Sequence, residues 1–145
     1  MSDEKAAARA ERAAQAMFER DRASQALGIR IVGVRPGWAR LVMRVRGDMV
    51  NGHGLCHGGM VFTLADSAFA FACNSYNEAT VAAAASIDYL AAAREGDELT
   101  AEATELWRSR RSGLYGITVS NQRGETVALF RGRSHRIDGR VVDEE

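Results

Sequence analysis

The sequence predicts an α+β fold in which an antiparallel sheet wraps around one long central helix, with an extra helix at the N-terminus. Three observations carry that prediction. From Gly58 to about Asn74, a helical reading sets Met60, Phe62, Leu64, Ala65, Ala68, Phe69 and Phe71 around nearly the whole circumference, the pattern of a helix covered on every side. Two β-patterned runs precede this stretch and four follow it, and a sheet folded around a single apolar helix accounts for that order. Ahead of them all lies a segment of strong helix formers.

That first segment, Ser2 to Leu27, is rich in Ala, Arg, Glu and Gln, and Gly28 is its expected stop. Residues 1-27 therefore read as an N-terminal helix on a main domain spanning residues 28-145. Ile29 to Val34 and Trp38 to Val45 are β-branched runs separated by Arg35-Pro36-Gly37, a hairpin signal. After the central helix, Thr80 to Leu90 is ambiguous, because its alanines favour helix. Thr80, Val81, Ile87 and Tyr89 favour a strand, and small alanines let a strand approach a helix closely. The stretches DELTAEATELW, GLYGITVSNQ and ETVALFRGRSHRI alternate in part, with turns at Arg111-Ser112-Gly113 and Gln122-Arg123-Gly124, and read as a three-strand meander.

Composition narrows the function classes. Nineteen basic residues balance nineteen acidic ones, so no global field is available to hold nucleic acid or an anionic membrane surface. No apolar run reaches the roughly 20 residues of a membrane helix, and the N-terminus lacks the apolar core of a signal peptide. These features read as a cytoplasmic chain. Its two cysteines, Cys56 and Cys73, have no CxxC spacing and are expected to be reduced and structural.

Within NGHGLCHGGMVFTLADSAFAF, Asp66 is the anomaly. A carboxylate on a buried face costs several kcal/mol unless something pairs with it, and its neighbours Ala65, Ser67, Ala68 and Ala70 are small enough to leave a recess. Leading into the helix, Asn51 to Gly59 holds four glycines and two histidines. Unpaired N–H groups at a helix N-terminus carry partial positive charge, and glycine admits a ligand atom close to that backbone. A phosphate tenant lacks its P-loop Lys-Ser/Thr pair and the GxGxxG pattern. The developing oxyanion of acyl transfer fits better. His53 and His57 are four apart, but Gly52 and Gly54 argue against a helix between them and no third ligand stands at a recognisable spacing, so no metal is expected. A Ser67-His135-Asp66 triad lacks a GxSxG elbow and would set the serine beside its own acid on a helix, about 100° apart.

Taken together, NGHGLCHGG, FTLADSAFAFACNS, IDYL and TVALFRGRSHRI resemble the hotdog-fold acyl-CoA thioesterases, in particular those acting on phenylacetyl-CoA or hydroxyphenylacetyl-CoA in phenylacetate degradation. The resemblance runs from about Leu27 to Ile137. It implies the hotdog fold, hydrolysis of an acyl-CoA substrate without a cofactor, and assembly as a homodimer or homotetramer. It further implies that Asp66 is the catalytic carboxylate, Gly58 the backbone donor to the thioester oxygen, Asn51 a polar group near the attacked thioester, and His57 another polar group lining the site. Charge and turn position nominate Arg110, Arg111 and Ser112 for the coenzyme A phosphates, while packing among Phe62, Phe69, Tyr76 and Tyr89 would set the depth of the acyl pocket. Gly58 and Asp66 are eight residues apart, about 12 Å of rise on a straight helix, too far for one thioester carbonyl to touch both. Composite active sites shared between two chains resolve that conflict. A hotdog hydratase or dehydratase and a non-catalytic acyl-CoA-sensing module are the competing readings, and release of free thiol separates them from a thioesterase.

Overall fold

The computed structural model describes residues 1–143. Two helices lead the chain where the composition suggested one: α1 (Asp3–Arg20) and the short α2 (Arg22–Ala26). The break lies at Asp21, whose ψ of 80° is not helical and whose carboxylate caps α2 by accepting from the Ser24 N–H. An acid that can cap is a recognised start signal even inside a helical composition. Gly28, with φ +70°, then ends the helical segment as expected.

The hairpin follows as β1 (Arg30–Arg35) and β2 (Trp38–Arg44). Its turn requires Gly37 twice over, because φ is +73° and an added Cβ would lie 2.9 Å from the Tyr76 hydroxyl. The long central helix α3 (Gly58–Cys73) comes next, then β3 (Thr80–Tyr89), β4 (Glu98–Arg108), β5 (Ser112–Ser120) and β6 (Thr126–Arg136). Thus the alanine-rich stretch is a strand. Pairing with β6 supplied what its propensity lacked, from Thr80 opposite Arg136 to Tyr89 opposite Ala128.

All six strands form one antiparallel sheet in the order β1-β2-β4-β5-β6-β3. The last three strands in sequence make the expected meander, while the chain passing through α3 delivers β3 to the far edge. The sheet wraps α3, which packs on β2, β4 and β5. Leu64, Ala65, Ala68, Phe69 and Ala72 on the helix meet Leu41, Leu99, Ala101, Ile117 and Phe130 in one buried cluster. Gly132 opens a slot in β6 for the Phe69 ring, since a Cβ there would stand 2.7 Å from it. Cys56 and Cys73 are buried free thiols, and no helix among the described residues is long and apolar enough to cross a membrane.

One expectation about α3 needs correcting. The helix is not covered on every side, because Gly59, Thr63, Asp66 and Ala70 form a stripe at helical spacing that the chain's own sheet leaves partly or fully open. Beside it, β3 is exposed along almost its entire length, with one edge bonded to β6 and the other unpaired.

Candidate active site

Asp66 stands on the open stripe of α3. Of its small neighbours only Ala70 shares that stripe, whereas Ala65, Ser67 and Ala68 turn inward and are buried. Among the described residues no group hydrogen-bonds or ion-pairs with the Asp66 carboxylate. Partial burial raises its pKa above the ordinary carboxylate range, and the negative charge of Asp21 raises it further. Asp21 is held there by a hydrogen-bonded chain that the sequence did not reveal. Its two carboxylate oxygens accept from the Ser24 N–H at 2.9 Å and the Ser24 hydroxyl at 2.6 Å, and the buried Ser24 and Ser67 hydroxyls meet at 2.8 Å. Ser67 is therefore the joint between α2 and α3, not a nucleophile, and His135 lies exposed on β6.

The loop before α3 is organised by Asn51. Its Oδ1 accepts from the backbone N–H groups of His53 and Leu55 at 2.9 and 3.1 Å, and its carbonyl accepts from Gly54, whose φ of +77° makes the tight turn possible. The Asn51 Nδ2 donates to nothing among the described residues. His57 is the N-cap of α3, where its Nδ1 accepts from the Gly59 N–H at 2.9 Å. Acceptance at Nδ1 requires the neutral tautomer protonated at Nε2.

That cap changes the count of free donors at the helix start. A helix begins with four N–H groups lacking helical partners. Here Gly59 is satisfied by the His57 ring, and Met60 and Val61 bond the His57 carbonyl. Only the Gly58 N–H is left without a partner in this turn, among the described residues. Gly58 lines, with Asn51, Leu55, Val61, Tyr89, Leu90 and Val127, a cavity of about 360 Å³, within the usual range for small-molecule sites. One unpaired N–H at the positive end of a helix, on a cavity shared with the unspent Asn51 Nδ2 and an apolar wall, can bind a carbonyl oxygen that is gaining negative charge.

The wall is not the one that sequence reasoning assembled. Tyr89 lines the cavity, but Phe69 is a core residue against Tyr115 and Phe130, and Tyr76 donates to Glu105 near the Cys73 end of α3. Phe62 makes an edge contact with Phe130, 5.2 Å between ring centres, and stands on α3 four residues from both Gly58 and Asp66. Arg110, Arg111 and Ser112 occupy the β4–β5 turn, in a shallow surface depression that also includes Cys73 and Arg136. In a single chain, then, Asn51 and Gly58 line one cavity, His57 caps the adjoining helix start without lining that cavity, Asp66 lies outside it, and the arginine turn sits toward the opposite end of the helix.

Comparison with known proteins decides the family. The sequence profile of the thioesterase superfamily matches residues 53–128. The chain belongs to that family. It is 49% identical over 131 residues to the acyl-coenzyme A thioesterase PaaI of Escherichia coli (strain K12), covering 90% of this chain and 94% of that protein. It is also 36% identical over 128 residues to a putative esterase of Archaeoglobus fulgidus, covering 88% and 83%. Among solved structures, the E. coli PaaI protein from the phenylacetic acid degradation operon superposes with a TM-score of 0.91 at 48% identity, covering 92% of this chain and 97% of that one. The sheet wrapped around α3 is thus the hotdog fold of a thioesterase closely related to PaaI.

Proposed function

We propose that this chain hydrolyses an aryl-acetyl-CoA thioester, phenylacetyl-CoA or a ring-hydroxylated relative, to the free acid and coenzyme A, at sites shared between two copies. The observation that carries the reading is an acid and a first-turn N–H on one helix, both without partners among the described residues, in a chain 49% identical to an acyl-coenzyme A thioesterase. The choice of acyl group rests on the phenylacetic acid degradation operon that encodes the structural relative.

In this mechanism the thioester oxygen accepts from the Gly58 N–H, with the Asn51 amide beside it. Asp66 of the other copy either attacks the carbonyl carbon or takes a proton from the water that does. Negative charge then builds on the oxygen facing the N-terminus of α3, the C–S bond breaks, and coenzyme A leaves as its thiol after gaining a proton. Water supplies the hydroxyl of the acid, directly or by hydrolysing an acyl-Asp66 anhydride. Both routes need Asp66 ionised. Phe62 is our candidate for the acyl wall. Arg110, Arg111 and Ser112, toward the Cys73 end of α3, would serve the coenzyme A phosphates of the site to which the same chain gives Asp66.

Sharing of sites is supported by the rise from Gly58 to Asp66, by the open stripe of α3, and by the unpaired edge of β3. A long exposed strand edge is a template for pairing with another chain. A homodimer, alone or doubled into a tetramer, covers all of these features at once. The test is thiol release across a panel of aryl-acetyl-CoA and straight-chain acyl-CoA substrates. Arylacetyl substrates should show the highest kcat/KM, and a higher value for palmitoyl-CoA than for every arylacetyl-CoA tried would overturn the proposed acyl preference.

A further inference from the structure

The peptide joining Gly58 to Gly59 is held at both ends by side chains. Its carbonyl accepts from the Tyr89 hydroxyl at 2.9 Å, and its N–H donates to His57 Nδ1 at 2.9 Å. The Tyr89 ring also lies against Gly58, since a Cβ built there would stand 3.1 Å from Cζ and 3.4 Å from Cε1. Two successive glycines give a helix start more backbone freedom than any other pair of residues. An N–H that is to meet a developing oxyanion must nonetheless be oriented before the reaction, because stabilisation of this kind depends on donors already in place. Tyr89 reaches Gly58 from the end of β3, 31 residues further along the chain, and it forms part of the same cavity wall. No other side chain hydrogen-bonds the Gly58 carbonyl among the described residues.

We infer that Tyr89 is a positioning residue: its hydroxyl fixes the Gly58–Gly59 peptide, which holds the Gly58 Cα in place and through it steadies the preceding His57–Gly58 peptide, whose N–H meets the substrate carbonyl. The inference rests on the reading of Gly58 as the oxyanion donor. The Tyr89 hydroxyl is occupied with the Gly58 carbonyl, so its effect belongs to the transition state rather than to substrate binding.

Tyr89→Phe keeps the ring against Gly58 and deletes only the hydroxyl. The expected result is a fall in kcat of about five- to twentyfold for arylacetyl-CoA with KM within about twofold, the pattern of an interaction realised in the transition state. Unchanged kcat in a folded Tyr89→Phe protein overturns the inference, and so does a raised KM with kcat intact, which would make Tyr89 a substrate-binding group. Should Tyr89→Phe fold poorly, Tyr89→Leu, which also lacks the hydroxyl at this half-exposed position, is assayed in its place. The same fall in kcat with KM within about twofold supports the positioning role, and an unchanged kcat refutes it. The two levels of the reading separate cleanly. Absence of thiol release from the unaltered chain defeats both, whereas an active parent with an indifferent Tyr89→Phe defeats only the positioning role.

Discussion

Mixing two inactive variants decides whether the sites are shared. The first is Asp66→Asn. The second is Gly58→Pro, which the local backbone suits unusually well. Gly58 is the first residue of α3, where proline is tolerated because the N–H it lacks has no helical partner, and His57 before it already has the extended ψ of 133° that a proline demands of its predecessor. The added Cβ must displace Tyr89 by a few tenths of an ångström, which an exposed side chain can accommodate. Each change alone should lower kcat about a hundredfold or more, roughly 2.7 kcal/mol of transition-state stabilisation. Random exchange of subunits makes about half of the dimers mixed, and in each the normal Asp66 faces the normal Gly58 at one of two sites. Thiol release per chain should therefore recover to about a quarter of the parent value, against about one hundredth for either variant alone. Chemistry within one chain predicts no recovery at all. Mixed dimers verified by mass and still at the one-hundredth level would refute the shared site, along with the straight-helix separation of about 12 Å that motivates it.

The raised pKa of Asp66 has two consequences. Because burial and Asp21 hold it above the ordinary carboxylate range, the acidic limb of kcat/KM should lie at higher pH than an ordinary aspartate would place it, and Asp21→Asn should move it to lower pH; a limb that stays put removes Asp21 from the site's electrostatics. A carboxyl whose folded pKa is raised contributes stability that is present below its unfolded pKa and is lost as pH rises through the folded one. Asp66→Asn should therefore melt at a higher temperature than the parent at pH 7, and no gain in Tm would count against burial of Asp66 as an unpartnered acid. Gly132→Ala should destabilise by about 1–3 kcal/mol in urea unfolding, since its Cβ would press on the buried Phe69 ring at 2.7 Å. His57→Ala should cost about 1 kcal/mol through loss of the α3 cap, and His57→Asn should restore most of it.

Much of this fold was legible before any coordinates. The apolar run after Gly58 and the turn signals placed α3 and the meander to within a residue or two. The alanine stretch was decided by only four residues, Thr80, Val81, Ile87 and Tyr89, against a propensity that pointed elsewhere. Asp21 escaped notice because cap signals are read at the ends of helical patterns, and this one lay within a pattern that looked continuous. At the site, the residue types identified Asp66 and the glycine-rich loop, but no spacing could show that His57 spends its Nδ1 on the helix or that Asn51 spends its Oδ1 on the loop. Phe69 and Tyr76 were grouped with Tyr89 on hydrophobicity alone, and side-chain direction separates them. Long-range pairs such as Tyr89 with Gly58 depend on where β3 lands in the sheet, which sequence periodicity does not encode.

The strand order also sets a timetable for synthesis. β3 leaves the ribosome before β4, β5 and β6, yet among the described residues its one neighbour in the sheet is β6, the last of these strands to emerge. Until residue 136 has emerged, α3 waits with its Phe69 slot unbuilt and β3 has no ladder to join. Non-local pairing of this kind slows folding and leaves apolar surface exposed to aggregation in the interval. A chain ending at Asn121, before β6, is accordingly expected to stay uncovered and bind a hydrophobic dye; a cooperative melt from that fragment would contradict the timetable. Because β6 closes the sheet and gives β3 its place, Tyr89 cannot reach Gly58 until the final strand is in, and nascent chains should be catalytically silent until nearly the whole sequence has been released.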